Sequence, residues 1–297
     1  MKPLRTLAVC LLVAALCQGC AQNPGKGNNH PEAKSQKISQ AGKTERNQQH
    51  KSTPELLGGA EGKVRKPHPM SLADLHQKYP AIYELNGPRS KRQVALTFDD
   101  APDAVFTPQV LDALKQAGVK ATFFVVGNRA EAHPDIMARI VREGHRVGNH
   151  SYSHANLPKL TDLKFRSEVT RTDQIISNYT GSVPALFRPP YGNTNERQLL
   201  WLASKGKKIV GWNVDSLDWK GLNADQVSSN VLSHVLPGSI ILQHAAGGQG
   251  EDLSGTVAAI PRIVKSLKSD GVEIVTVEDL LNLNKNAKEN IRAGSKQ

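Results

Sequence analysis

From residue 94 to residue 284 the chain repeats one pattern seven times: a short apolar run followed by a longer amphipathic stretch. The apolar runs fall at 94–98, 121–126, 146–149, 185–188, 207–214, 239–243 and 272–276, lengths that suit buried strands. The stretches between them, near 107–117, 135–143, 161–179, 195–205, 224–236 and 256–270, have helical spacing, and a closing helix is predicted at 278–284. Gly118, Gly144, Gly206 and Gly271 stand where a helix passes into a strand, as C-terminal caps do. Such alternation requires parallel strands joined by helical crossovers, so the chain is α/β. Seven repeats predict a distorted seven-stranded (β/α) barrel, one repeat short of the eight-stranded form. A doubly wound open sheet is the alternative, because strand count does not prove closure.

Polar residues gather at the ends of these runs. Asp99 and Asp100 follow the first, His150 the third, Arg188 ends the fourth, Asp215 and Asp218 follow the fifth, and His244 the sixth. Parallel barrels build their active sites at the C-terminal strand ends, where these residues would emerge. Two adjacent carboxylates repel unless something compensates them, typically a metal. His150 and His154, in His-Ser-Tyr-Ser-His, could turn two imidazoles toward one point. One carboxylate and two imidazoles form a three-ligand set with a position left for water, the pattern of a hydrolytic zinc site. The second carboxylate is then free to act as a base.

The rest of the chain sets the context. Lys2 and Arg5 precede an apolar segment from Leu7 to Leu16 that is short for a membrane span. Leu16-Cys17-Gln18-Gly19-Cys20 resembles a bacterial lipoprotein cleavage box with Cys20 as the lipidated residue, and ordinary secretion is the alternative. We therefore expect residues 1–20 to be a signal or lipoprotein segment that places the protein outside the cytoplasmic membrane. All three cysteines, Cys10, Cys17 and Cys20, lie there, so the mature body has no disulfide framework and any metal must use His, Asp or Glu. Residues 21–69 are expected to form a disordered basic linker, because they are rich in Gln, Asn, Lys, Gly and Ser with few large apolar residues. A lead-in segment with weak helical character follows at 70–93, and a polar tail closes the chain at 285–297.

The net charge of +11 suggests nucleic acid, but its distribution argues against that. Residues 21–93 carry 13 Lys and Arg against 6 acids, whereas residues 94–297 carry 23 against 21. The folded body is thus nearly neutral. A basic linker beyond a membrane suits anionic lipid or cell-wall polymer, or serves as a solvated spacer.

Five segments carry a resemblance. Thr97-Phe98-Asp99-Asp100, His150-Ser151-Tyr152-Ser153-His154, Arg188-Pro189-Pro190-Tyr191-Gly192, Asp215-Ser216-Leu217-Asp218-Trp219 and Leu242-Gln243-His244 resemble, in order, the motifs of the polysaccharide deacetylases, carbohydrate esterase family four. The resemblance covers the body at 94–284 and implies a role for each residue. Asp99 would be the general base, and Asp100, His150 and His154 the ligands of one divalent metal, zinc by preference. Arg188 would orient the base, Asp218 would orient the catalytic acid His244, and the Tyr191 N–H would help hold the oxyanion. Trp219 and Leu242 would wall the acetyl pocket. One departure is Ala101, where the family usually has glycine; alanine there costs strain if the backbone needs positive φ.

The implied reaction is metal-dependent hydrolysis of N-acetyl groups on an extracytoplasmic glycan, with peptidoglycan N-acetylglucosamine expected first. Chitin-type oligomers and poly-N-acetylglucosamine are the close alternatives. The chemistry suits the residues: an acetamide needs an activated water and a stabilised oxyanion, and its amine leaves only when protonated. The rival from another class is a catalytically silent, wall-binding lipoprotein.

Overall fold

The computed structural model describes residues 52–65 and 72–283. The segment 1–20 with Cys20, linker residues 21–51 and 66–69, and the tail 285–297 lie outside the described residues. Nine strands are present among the described residues: β1 (Tyr83–Glu84), β2 (Gln93–Ala101), β3 (Thr122–Val125), β4 (Arg146–Asn149), β5 (Leu186–Phe187), β6 (Lys208–Val210), β7 (Val214–Asp215), β8 (Ile240–His244) and β9 (Glu273–Val275). The helices are α1 (Glu61–Val64), α2 (Leu72–Lys78), α3 (Phe106–Ala117), α4 (Gly127–Ala132), α5 (Pro134–Arg142), α6 (Asp162–Thr180), α7 (Glu196–Ser204), α8 (Ala224–Leu232), α9 (Ser254–Ser269) and α10 (Val277–Leu280).

The strands form one sheet in the order β1-β6-β5-β4-β3-β2-β8-β7, with β9 paired to the start of β2. Every ladder is parallel, and the sheet curls into a half-barrel wrapped by helices. The expected (β/α) barrel class is therefore present. Helix ends follow their chemistry: Gly118 closes α3 at φ 65°, giving its N–H to the Leu114 and Lys115 carbonyls. Asn223 opens α8 with a reciprocal cap through Gln226.

Alternation along the strands sorts side chains into two layers. Val94, Leu96 and Phe98 of β2 and Phe123 and Val125 of β3 face an outer core against α3 and α9. Ala95, Phe124, Ile240 and Leu242 face an inner cluster with Leu186, Val210 and Trp212, closed below by Val277 and Leu280 of α10. By the same period Thr97, Asp99 and His244 belong to the inner layer, and Asp99 stands in register beside His244.

Several details differ from the sequence reading. The single strand expected at 207–214 is two strands that pair with opposite ends of the sheet. Arg188 explains the break: its Nε and one terminal nitrogen take the carbonyls of Val210 and Gly211, at 3.1 and 3.0 Å. The chain then rejoins β8 through Asn213, whose N–H bonds Ile240 O and whose Oδ1 accepts from Ile240 N. The lead-in segment, besides the helix α2, contributes the additional strand β1, too short to show a periodicity.

Another difference is at residues 52–65, inside the expected linker 21–69. They pack on the body, with Leu56 and Glu61 buried. They are held by backbone hydrogen bonds and polar side chains, which hydropathy patterning does not register. Among the described residues no helix is long and apolar enough to cross a membrane.

Candidate active site

The strand-end loops adopt backbone that L-residues avoid. Asp100 (φ 69°), Ser151 (65°), His154 (55°), Tyr191 (60°) and Leu217 (56°) all lie in the left-handed region. Each such residue costs roughly 1–3 kcal/mol, which a fold tolerates where function fixes the side chain's aim. All five belong to the quoted motifs, as metal-ligand, oxyanion or loop residues, Leu217 standing directly before Asp218. Ala101 is not among them: it lies within β2, and the positive φ falls on Asp100 instead. Alanine thus meets no left-handed requirement there.

Asp100, His150 and His154 converge, with ligand atoms within 4.8 Å of one another, and all three are buried. The Asp100 Oδ1 lies 3.5 Å from His150 Nε2 and 3.1 Å from His154 Nε2. His150 Nδ1 bonds the Arg188 carbonyl at 2.7 Å, and a carbonyl only accepts, so the proton sits on Nδ1 and Nε2 carries a lone pair. Tyr191 gives its hydroxyl proton to Gly59 O at 2.6 Å, so its oxygen accepts from His154 Nδ1 at 3.0 Å. His154 Nε2 is then a lone pair as well. Burial holds the His154 pKa well below its usual value. Three acceptors therefore face one point with no hydrogen among them, and Asp100 Oδ1 has no hydrogen-bond partner among the described residues. A cation satisfies such a set, and the residues fit a divalent metal.

Asp99 stands on one side of that point. Its Oδ1 accepts from Arg188 at 2.7 Å, and its Oδ2 lies 3.6 Å from His150 Nε2. Arg188 is fully buried, also donates to Thr97 Oγ1 at 2.8 Å, and stacks 4.0 Å from the centre of the Phe124 ring. One Asp99 oxygen is thereby fixed and the other left toward the metal-ligand cluster.

His244 holds the other side. Asp218 Oδ1 bonds its Nδ1 at 2.7 Å, while Asp218 Oδ2 accepts from the His244 backbone N–H and from Thr256 Oγ1, both at 2.8 Å. Burial alone would lower the His244 pKa, but the Asp218 charge and hydrogen bond raise it well above its usual value. Burial likewise opposes the Asp218 anion, and His244 holds its pKa below the usual range. The pair is a stabilised imidazolium whose Nε2–H remains to be given away.

Every predicted site residue except Cys20 lies among the described residues. Tyr191 lies in the turn Pro190–Gly192, Trp219 in the turn Asp218–Lys220, and Leu242 in the inner cluster with Trp212. The sequence reading missed Arg129, on the unforeseen helix α4, which pins the Asp100 and Gly247 carbonyls at 3.1 and 2.8 Å. It also missed Glu168. That carboxylate accepts from the N–H groups of Tyr152 and Ser153 and from Ser153 Oγ, at 2.8 to 2.9 Å, fastening the loop between the two histidines. The available signal was an acid beside Phe165, Val169 and Thr172 on the buried face of α6. A Glu168→Ala variant should bind its metal about 10–100-fold more weakly by equilibrium titration, as loss of an outer-sphere partner does. Unchanged affinity would count against this role for Glu168.

Comparison with known proteins agrees with this geometry. Residues 86–210 match the polysaccharide deacetylase family. A peptidoglycan-N-acetylglucosamine deacetylase of Bacillus cereus is 46% identical over 212 residues, covering 71% of this chain and 76% of that one. The peptidoglycan-N-acetylglucosamine deacetylase PgdA of Listeria monocytogenes is 37% identical over 200 residues, 67% of this chain and 41% of that one. The crystal structure of the Bc1960 peptidoglycan N-acetylglucosamine deacetylase, in complex with 4-naphthalen-1-yl-N-oxidanyl-benzamide, superimposes with a TM-score of 0.67 at 45% identity, over 70% of this chain and 95% of that one.

Proposed function

The chain belongs to the polysaccharide deacetylase family, and on that premise we propose that it hydrolyses the N-acetyl groups of peptidoglycan N-acetylglucosamine, releasing acetate and leaving free amines. The observation that carries this reading is the pairing of two differently tuned groups across the Asp100–His150–His154 cluster. One is a carboxylate held by an arginine, the other an imidazolium held by a carboxylate. Amide hydrolysis needs one proton taken and one given, and such a pair divides the two tasks.

Asp99 accepts a proton from water as its oxygen bonds to the acetyl carbon. Arg188, with three further donors committed to Thr97, Val210 and Gly211, keeps that carboxylate from turning away. The Tyr191 N–H donates to the developing oxyanion. His244 then gives its Nε2 proton to the amide nitrogen, the carbon–nitrogen bond breaks, and the neutral amine departs from acetic acid, which loses its remaining proton to water and is released as acetate. Trp219 and Leu242 enclose the acetyl methyl. Asp100, His150 and His154 hold the ion, zinc by the preference of a two-imidazole, one-carboxylate set, which when bound polarises the carbonyl and acidifies water.

The chain acts outside the cytoplasmic membrane, anchored through lipid on Cys20, with the basic linker reaching along anionic wall polymer or lipid. The lipoprotein-like box and the +7 balance over residues 21–93 support this placement. The substrate is tested by acetate release from peptidoglycan, acetylated chitooligosaccharide and acetylxylan in parallel. Peptidoglycan should be deacetylated fastest. Preference for acetylxylan would replace the amide reading with an ester one.

A further inference from the structure

Residues 53–65 run through the catalytic face in an ordered sequence of contacts. Thr53 Oγ1 bonds His133 Nε2 at 2.7 Å, and Pro54 O accepts from Arg129, the same arginine that pins Asp100 O. Leu57 N–H donates to Ser153 O at 2.9 Å and Gly58 N–H to His154 O at 3.1 Å, both in the metal-ligand loop. Gly59 O takes the Tyr191 hydroxyl proton. Gly62 lies against Trp219, where a Cβ would sit 3.2 Å from the ring. Arg65 ends the run, 2.6 Å from Asp215 Oδ2 and stacked 4.8 Å from the Trp212 ring and 5.7 Å from the Trp219 ring. The segment thus touches, in chain order, residues from the ends of β3, β4, β5 and β7.

Its composition suits that path. A Cβ on Gly58 would meet the Tyr191 oxygen at 2.3 Å and His154 O at 2.7 Å, so only glycine lets the backbone press this closely. Glu61, one residue before the glycine that lies against Trp219, is only 6% exposed, with its carboxylate 3.7 Å from Arg65. Burial raises its pKa to about 7, His244 pulls it down, and Asp100 and Asp99 push it up again, so its carboxylate feels both the acid and the metal-ligand sides. A glutamate ends in CH₂–COO⁻, which is acetate on a tether. Arg65 meanwhile covers the two indoles and the Asp215 carboxylate, a surface that a sugar ring would otherwise stack on.

We propose that residues 61–65, carried on the docked stretch 53–59, are an intramolecular occupant of the substrate groove, with Glu61 standing in for the acetate product and Arg65 covering the sugar-stacking face, so that glycan binds only by displacing them. This rests on the deacetylase reading of the same site. The strap works as a competitor at fixed local concentration: a groove closed nine-tenths of the time weakens apparent glycan affinity about tenfold. Occupancy of the groove by the strap and by glycan is mutually exclusive, so the device changes KM and leaves kcat alone.

The test is the double variant Glu61→Ala/Arg65→Ala in the full chain, assayed with an acetylated chitooligosaccharide by acetate release and, independently of turnover, by quenching of indole fluorescence. KM and the dissociation constant should both fall about tenfold at unchanged kcat, if the closed fraction is near nine-tenths. A synthetic peptide of residues 52–65 should bind the double variant one to one and inhibit it competitively. An unchanged or raised KM, or a peptide that does not bind, overturns the strap while acetate release by the parent chain leaves the deacetylase reading standing. Absence of acetate release from every glycan overturns that reading, and the peptide-binding arm then decides the strap alone.

Discussion

An Asp99→Asn variant deacetylates glycan about 10²–10⁴-fold more slowly than the parent and still binds its metal, because a general base is lost and no ligand is. The fold should survive. Asparagine keeps an acceptor for Arg188, which otherwise retains its bonds to Thr97, Val210 and Gly211. Asp100, His150 and His154 remain as the convergent set. Turnover and metal content measured on the same sample separate base from ligand. Loss of metal together with activity would make Asp99 a ligand and leave the base to be found elsewhere. His154→Ala makes the opposite pattern, metal and turnover lost together.

His244→Ala should show a comparable loss, again about 10²–10⁴-fold, on acetamides but a much smaller one on an activated aryl acetate, whose leaving group needs no proton. Equal losses on both substrates would refute the acid assignment. Asp218 supplies a second arm. The folded His244 pKa is raised, so its proton persists above the ordinary histidine range, and the alkaline limb of kcat/KM lies correspondingly high. Asp218→Asn should move that limb toward acid, because the charge that holds the imidazolium is gone. Linkage has the same sign: the His244 contribution to stability is complete below the unfolded pKa and disappears as pH rises through the folded one. Asp218, whose pKa is depressed, contributes above its own unfolded value and loses that contribution as pH falls.

The site was legible in the sequence to the extent that its chemistry lies at strand ends. Asp99, Asp100, His150, Arg188 and His244 each follow or end an apolar run, and parallel strands bring such ends to one face. The inner-layer position of Asp99 beside His244 follows from period-two alternation, and the ladder pairs them. What was not legible depends on contacts between segments distant in sequence. The division of 207–214 into β6 and β7 arises from a guanidinium twenty residues away that claims two carbonyls. β1 is two residues long. The strap at 53–65 reads as linker because it is bound by backbone hydrogen bonds, an ion pair and one buried acid, none of which raises hydropathy. Glu168 was within reach as an acid on a buried helix face, but its partners are backbone N–H groups that carry no residue signature.

On the deacetylase reading, a metal-dependent site cleaves the amide of an acetylated amino sugar. The most direct measurement follows acetate and new primary amine together during digestion of peptidoglycan by the purified chain, before and after chelation and after metal is restored. One amine should appear for each acetate, both should be lost on chelation, and both should return when zinc is added. Full activity in a rigorously metal-free preparation, or acetate released without a matching amine, would contradict that reading.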